Sequence, residues 1–357
     1  MGLHGGNLRE AIERYGLQEK EVIDFSASIN PLGFPCNIKN FLEEGLNLAL
    51  NYPDPDCLDL KKAISKYLNI PAENFLIGNG SIELIYLIPR LFAKPKTLIL
   101  GPTFSEYERA IKANNGKVKY LLADEKHNFK LPFAAIRPHL KEIDIIFICN
   151  PNNPTACLFR KEEIARIVHG VPQKTLIVID EAFMDFIMKP DKFSFIYKAT
   201  QAKNILVVRS FTKFFSMAGL RLGFAVGNRA LIASLNSIQY PWSVNAFAQL
   251  IAPILIKDKR FIKRSIDFMK TERNYLYSKL KDIKDITVFK PTSNFILCKI
   301  KDNKITATRL SQILGKGGIL IRDCSNFYGL GNSFFRVAVK KRQDNLKLLE
   351  ALRRNVL

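Results

Sequence analysis

Between residues 74 and 210 the chain repeats one pattern five times: a short apolar run, a polar or glycine-containing break, then an amphipathic stretch. The runs are Phe75-Leu76-Ile77, Thr97 to Leu100, Ile143 to Cys149, Thr175 to Ile179 and Asn204 to Val208. Runs this short and apolar suit strands buried on both faces, and the stretches between them suit crossover helices. The alternation predicts an α/β fold with a mainly parallel sheet. Ligands of such sheets bind beyond the carboxyl ends of the strands. Gly78-Asn79-Gly80-Ser81, Gly101-Pro102-Thr103-Phe104, Asn150-Pro151-Asn152-Asn153, Asp180 and Ser210 each follow one of the runs, so five elements converge on one sheet edge.

Three residues after these strands carry the central chemistry. Asp180 ends a strand, Lys213 lies beside Ser210 and Thr212, and Arg221 follows eight residues later. A pyridoxal phosphate site needs such a set: a carboxylate to keep the pyridine nitrogen protonated, a lysine to form the imine, and hydroxyls with a guanidinium for the phosphate. Taken singly, the aspartate reads as a loop cap, the lysine as a solvated residue and the arginine as a surface ion pair. Their joint order and spacing outweigh those separate readings. Gly80, Ser81 and Ile82 open an apolar helix whose first amides can face an anion. The competing dinucleotide fingerprint lacks its third glycine, and the next strand ends at Gly101 instead of an acid. Asn153 is a candidate donor to the cofactor's 3'-oxygen, with a proline-fixed turn the equal alternative. Phe104 is placed to stack on the pyridine ring, although an isolated aromatic is more often core.

A chain of 357 residues can bury a large core and divide into two domains. The net charge of +21 invites a nucleic-acid hypothesis, with Lys257 to Arg264 as its best local support. The charge is otherwise spread along the whole chain, without a zinc-finger, basic-zipper or RNP signature, so a solvated helix face is favoured, and a positive field of this kind is able to steer an anionic small substrate toward its pocket. Six scattered cysteines and four unpaired histidines speak against a disulfide framework and a metal site. No apolar run approaches the roughly 18 uncharged residues of a membrane span, and the start lacks a secretory h-region. The expectation is a cytoplasmic protein that binds neither nucleic acid nor membrane.

After Trp242 the pattern changes to a long helical stretch, 244 to 282, followed by strands near Ile286, Asn294, Gly318 and Phe335 and a last helix opening at Lys341-Arg342. The expected division is an arm over 1–30, a large domain over 31–243 and a smaller α+β domain over 244–357.

In this order the residues resemble the fold type I pyridoxal phosphate enzymes, over nearly the whole chain. The nearest branch is that of the histidinol-phosphate aminotransferases. Within it, His4-Gly5-Gly6-Asn7, the stretch from Asp24 to Phe34 and the stretch from Arg322 to Leu330 look like the threonine-phosphate decarboxylases of cobalamin biosynthesis. The resemblance implies that Lys213 is the Schiff-base lysine, Asp180 the pyridine partner, Asn153 the O3' donor and Phe104 the stacking ring. It implies a phosphate cup of Gly80, Ser81, Ser210, Thr212 and Arg221, closed by a tyrosine of the neighbouring subunit of a homodimer, matched here by Tyr52. Arg336 matches the substrate-carboxylate arginine, with a strand-end ion pair as its plain alternative. His4, Asn30 and Arg322 resemble the residues that receive a substrate phosphate, although a terminal histidine is more often disordered. Phe183 stands where aminotransferases usually carry a tyrosine that bonds O3', which favours the decarboxylases. Ala156 replaces a frequent turn glycine and decides little.

The expected activity is decarboxylation of O-phospho-L-threonine or O-phospho-L-serine to an O-phospho amino alcohol for cobamide biosynthesis. One methyl group separates the two substrates, worth only about 1 to 3 kcal/mol of discrimination. Histidinol-phosphate transamination is the enzymatic alternative. A nucleic-acid-binding regulator on the same fold is the non-enzymatic one.

Overall fold

The computed structural model describes residues 4–35, 38–301 and 305–356. After the short β1 (Ile23–Asp24), seven strands build the central sheet: β2 (Phe75–Gly78), β3 (Lys96–Gly101), β4 (Lys117–Leu122), β5 (Ile145–Cys149), β6 (Leu176–Asp180), β7 (Ile205–Ser210) and β8 (Gly223–Val226). Their order across the sheet is β2-β8-β7-β6-β5-β3-β4. β7, β6, β5, β3 and β4 run parallel, while β8 is antiparallel to both β7 and β2.

Successive side chains of a strand face opposite sides, and here both sides are core. Leu98, Ile146, Ile148, Ile177, Ile179 and Val207 pack on one face. Ile99, Ile145, Phe147, Val178, Leu206 and Val208 pack on the other. That two-sided burial explains why these strands read as continuous apolar runs. β4 and β8 were not anticipated: β4 alternates lysines with apolar residues as a half-exposed edge, and β8 opens on a glycine directly after the Arg221 turn.

The C-terminal part holds β9 (Ile286–Val288), β10 (Phe295–Ile300), β11 (Ile319–Leu320), β12 (Arg322–Asp323) and β13 (Phe334–Ala338). Four of them form the antiparallel sheet β12-β13-β10-β9, and β11 pairs in parallel with β1. The arm is thereby stitched to the C-terminal part. The stretch 244 to 282 is two helices, Ala246–Leu255 and Lys259–Lys281, because the Asp258 side chain accepts a hydrogen bond from the Phe261 amide and starts a new helix. The first packs on the helix Leu58–Leu68, and the second on β9 and the final helix Arg342–Asn355. The helical stretch thus breaks at Lys257-Asp258. No helix among the described residues is long and apolar enough to cross a membrane.

Candidate active site

A cavity of about 580 Å³ lies where the loops after β3, β5, β6 and β7 meet the arm and the C-terminal sheet. Phe104, Asn153, Asp180, Thr212, Lys213 and Arg221 face it from the large domain, with Ser81 and Ile82. His4, Ser26, Ser28, Arg322 and Arg336 face it from the opposite side. Groups separated by more than 300 residues of chain thus share one pocket.

Asp180 reaches the cavity because it is the last residue of β6. It is 4% exposed, and burial raises its pKa, opposed by hydrogen bonds from the Tyr107 hydroxyl to Oδ2 (2.6 Å) and the Ala182 amide to Oδ1 (2.9 Å) and by the charge of Lys213. No cation lies within ion-pairing distance of it among the described residues. Lys213 lies in the short helix Phe211–Phe214 after β7; its carbonyl accepts from the Asn30 amide (3.0 Å), while its Nζ makes no hydrogen bond to any described residue and lies 6.0 Å from the centroid of the Phe183 ring. Burial, then the charges of Arg336 and Arg221, bring its pKa down to about 8, with Asp180 opposing. A lysine in that state supplies a neutral amine near neutral pH, as covalent capture of an aldehyde requires.

The turn expected to hold the phosphate follows from backbone shape. Gly80 has φ +78°, and a Cβ there would meet Nη2 of Arg221 at 2.6 Å, so only glycine lets the guanidinium lie over this turn. A Cβ on Gly223 would meet the Ser81 amide nitrogen at 2.4 Å. Ser210 Oγ and Thr212 Oγ1 share a hydrogen bond of 2.6 Å; Thr212 faces the cavity and Ser210 backs it. Asn153 accepts through Oδ1 from Arg336, which turns its Nδ2 outward as a donor with no partner among the described residues. A buried unpaired carboxylate, a free amine, an unpartnered amide donor and an arginine over a glycine turn fit pyridoxal phosphate group by group.

On the opposite wall, Arg336 also donates to the Ser26 carbonyl (2.7 Å), and its Nε has no partner. It makes no ion pair with an acid among the described residues, so the plain strand-end reading fails. Burial brings its pKa down to about 10. Arg322 donates to the Asp323 carbonyl and to Asn326 Oδ1 and lies over the Phe327 ring. His4 lies at the rim, 2.8 Å from Glu106 Oε1, with its ring 5.8 Å from that of Phe104.

Two expected residues fall elsewhere. Asn30 is 3% exposed, and its side chain is committed to the Phe214 carbonyl, Ser265 Oγ and the Leu32 amide. It braces the lysine loop and does not line the cavity, which corrects its assignment to a substrate phosphate. Tyr52 is 82% exposed against the Trp242 ring, with centroids 5.0 Å apart, away from its own chain's cavity.

Tyr107, Ser28 and the Glu106 cluster were missed by the sequence. Ser28 Oγ is buried in the cavity wall without a partner. Glu106 accepts from Tyr86, Arg109 and His4; burial works against its charge, but those bonds keep its pKa lowered. The spacing of Phe104, Tyr107 and the loop after β3 held the signal for Tyr107, because a residue three further along a starting helix returns to the same side. Beneath the sheet edge, Arg209 joins Glu181 (2.9 Å), Asp185 (2.8 Å) and Ser194 (3.2 Å) in a buried cluster that fixes the ends of β6 and β7.

A mainly parallel sheet with this lysine, aspartate and arginine at its carboxyl edge, joined to a smaller antiparallel sheet, defines the fold type I pyridoxal phosphate enzymes. Sequence comparison agrees: residues 20–352 match the model of the aminotransferase class I and II family, and the chain belongs to that family. It is 34% identical to the threonine-phosphate decarboxylase of Salmonella typhimurium, over 99% of this chain and 96% of that one. The histidinol-phosphate aminotransferase of Clostridium acetobutylicum superposes with a TM-score of 0.87 at 35% identity, covering 94% of this chain and 99% of that chain. The L-threonine-O-3-phosphate decarboxylase of Porphyromonas gingivalis superposes with a TM-score of 0.82 at 27% identity, covering 92% of this chain and 97% of that chain.

Proposed function

We propose that this chain removes CO2 from an O-phospho-L-amino acid, O-phospho-L-threonine or O-phospho-L-serine, using pyridoxal 5'-phosphate held on Lys213, and so yields an O-phospho amino alcohol for cobamide biosynthesis. The observation that carries this reading is the pair of buried arginines, Arg322 and Arg336, on the wall opposite Arg221. Five basic side chains, Arg109, Lys213, Arg221, Arg322 and Arg336, line the cavity against two acids, Glu106 and Asp180. Such an excess suits a cofactor phosphate together with a substrate bearing both a phosphate and a carboxylate.

The cofactor, when bound, supplies an electron sink for the pair left on Cα as CO2 departs. Asp180 holds a proton at the pyridine nitrogen. Asn153 would donate Nδ2 to the 3'-oxygen, and Gly80, Ser81, Ile82, Ser210, Thr212 and Arg221 would receive the cofactor phosphate. Phe104 covers the ring. Phe183 offers no hydroxyl at O3', unlike the aminotransferase tyrosine. Arg336 would take the substrate carboxylate, and Arg322 with His4 the substrate phosphate, two anchors that together would fix the orientation of the substrate. Lys213 Nζ then delivers the proton that replaces CO2 at Cα.

The functional unit in this reading is a homodimer. Tyr52 faces solvent among Leu46, Leu48, Leu50 and Trp242, all exposed, and this apolar face suits a second copy whose site Tyr52 completes. The exposed basic residues Arg260, Lys263 and Arg264 lie along the helix Lys259–Lys281, where a solvated face accounts for them.

Histidinol-phosphate transamination remains the second reading, because a structure of that activity superposes so closely. The test is to supply phosphothreonine, phosphoserine, or histidinol phosphate with 2-oxoglutarate, and to follow CO2 and glutamate separately. CO2 release without a keto acceptor supports decarboxylation. Acceptor-dependent turnover of histidinol phosphate, with no CO2 from either phosphoamino acid, establishes the second reading.

A further inference from the structure

Asp180 faces a problem that its family role does not solve. A carboxylate and a pyridine nitrogen buried together compete for one proton, and burial favours the arrangement without charges, with the proton on the carboxyl and the ring neutral. A neutral ring is a poor electron sink. Something in the protein has to stabilise the charged carboxylate without giving up a proton to it.

The groups around Asp180 come from four elements. Ala182, after β6, gives a backbone amide to Oδ1; Lys213, after β7, lies near as a cation; Cys149 ends β5; and Tyr107 stands on the helix Glu106–Ala113 after β3. Burial pushes the Cys149 thiol up to about 12, so it brings no charge. Lys213 is engaged with the cofactor in the loaded protein. That leaves the amide on Oδ1 and the phenol on Oδ2, at 2.6 Å.

The Tyr107 hydroxyl lies beside both Cys149 and Asp180, and of the two it is Asp180 Oδ2 that it meets at 2.6 Å. Tyr107 is fully buried and lines the cavity. Its ring stacks on Phe147, with centroids 4.7 Å apart and an interplanar angle of 10°, and meets Phe104 edge-on at 5.7 Å. Burial, followed by the neighbouring Asp180 charge, raises its pKa well above the ordinary phenol value, so it stays protonated and donates. Donation of this O–H stabilises the charged carboxylate over the protonated one and so lowers its proton affinity.

We propose that Tyr107 is a positioning residue that keeps the proton shared by Asp180 and the cofactor on the pyridine nitrogen. This rests on the cofactor assignment above. Removing the hydroxyl leaves Oδ2 without its donor, and the proton moves from nitrogen toward Asp180. No proton is gained or lost overall; only its place changes.

The test loads wild-type protein and Tyr107→Phe with pyridoxal phosphate labelled with 15N in the ring, and records the nitrogen resonance. Phe keeps the stack on Phe147. The expected result is a wild-type signal near the protonated position and a Tyr107→Phe signal displaced downfield, toward neutral pyridine. A second variant carries 3-fluorotyrosine at position 107, which keeps the shape and strengthens the donor, and its signal should move the other way. This variant decides the matter alone if Tyr107→Phe does not fold. An unchanged resonance in a folded, loaded variant overturns the proposal and leaves the cofactor assignment standing. Failure of the wild type to take up the cofactor overturns both.

Discussion

Arg336, in the middle of β13, donates a hydrogen bond to Oδ1 of Asn153, in the loop after β5, and so joins the C-terminal sheet to the cofactor wall of the large domain. One guanidinium therefore does two things. It fixes the sense of the Asn153 amide, leaving Nδ2 to donate, and it brings a buried positive charge, with an unpartnered Nε, to the cavity wall.

Loss of Arg336 should be felt in both roles. Arg336→Gln removes a charge-assisted contact worth roughly 1.5 to 3 kcal/mol, so kcat/KM for the phosphoamino acid should fall by about tenfold to a hundredfold or more. Because Asn153 loses its orienting donor as well, kcat should fall together with a rise in KM. Steady-state kinetics on the purified variant check both parameters.

The lowered pKa of Lys213 sets a pH dependence with a definite sign. Only the neutral amine captures the aldehyde, so the rate of cofactor uptake by the apoprotein should climb with pH up to about 8 and level off above it. Arg336→Gln removes a neighbouring positive charge and should move that midpoint upward. Stopped-flow absorbance across a pH series measures it, and borohydride reduction followed by peptide mapping should put the label on Lys213. A label on another lysine would falsify the assignment.

Asp180→Ala should retain cofactor while losing turnover by at least about a hundredfold, the scale on which removal of one preorganised charge acts. The contacts from Arg221, Thr212 and Gly80 survive that substitution. Equilibrium binding and single-turnover rates separate the two effects.

A shared site makes a complementation prediction. In a heterodimer of Tyr52→Ala and Lys213→Ala chains, one pocket combines an intact lysine with the partner's intact tyrosine. Mixed chains should recover about a quarter of the wild-type sites, read as CO2 release after co-refolding. Heterodimers that form without recovery place Tyr52 outside the site.

The Arg209 cluster predicts a stability effect. Arg209→Met strands the buried Glu181 and the half-buried Asp185 without a cation, a loss of about 3 to 5 kcal/mol carried mainly by Glu181. Burial already raises both pKa values despite Arg209. The penalty is therefore greatest at neutral pH and shrinks as falling pH neutralises the acids, which denaturant melts at two pH values would show.

Residues at the ends of two-sided buried strands were legible in the sequence, because their apolar runs fix where Asp180 and Ser210 emerge. Side-chain direction in irregular segments was not. Asn30 sits inside a recognisable stretch, yet its amide turns into the lysine loop while Ser28, two residues earlier, faces the cavity. Tyr107 carried no signal of its own, because a stacked, buried tyrosine differs from any core aromatic only in its polar end. β4 escaped notice because its lysines dilute the apolar pattern at a sheet edge, and the break at Asp258 because one cap can restart a helix without interrupting helical periodicity.

The pairing of β1 with β11 also orders events in time. Ile23 leaves the ribosome some 296 residues before its partner Ile319, an interval of roughly fifteen seconds to a minute at ordinary elongation rates. Lys213, Asp180 and the Arg221 turn all lie in strands and loops completed by Val226. The wall that meets the cofactor is therefore synthesised whole while the wall that meets the substrate still waits for β12 and β13. A nascent chain halted in that interval carries the lysine and its aspartate, with no Arg322 or Arg336 yet made to close over them.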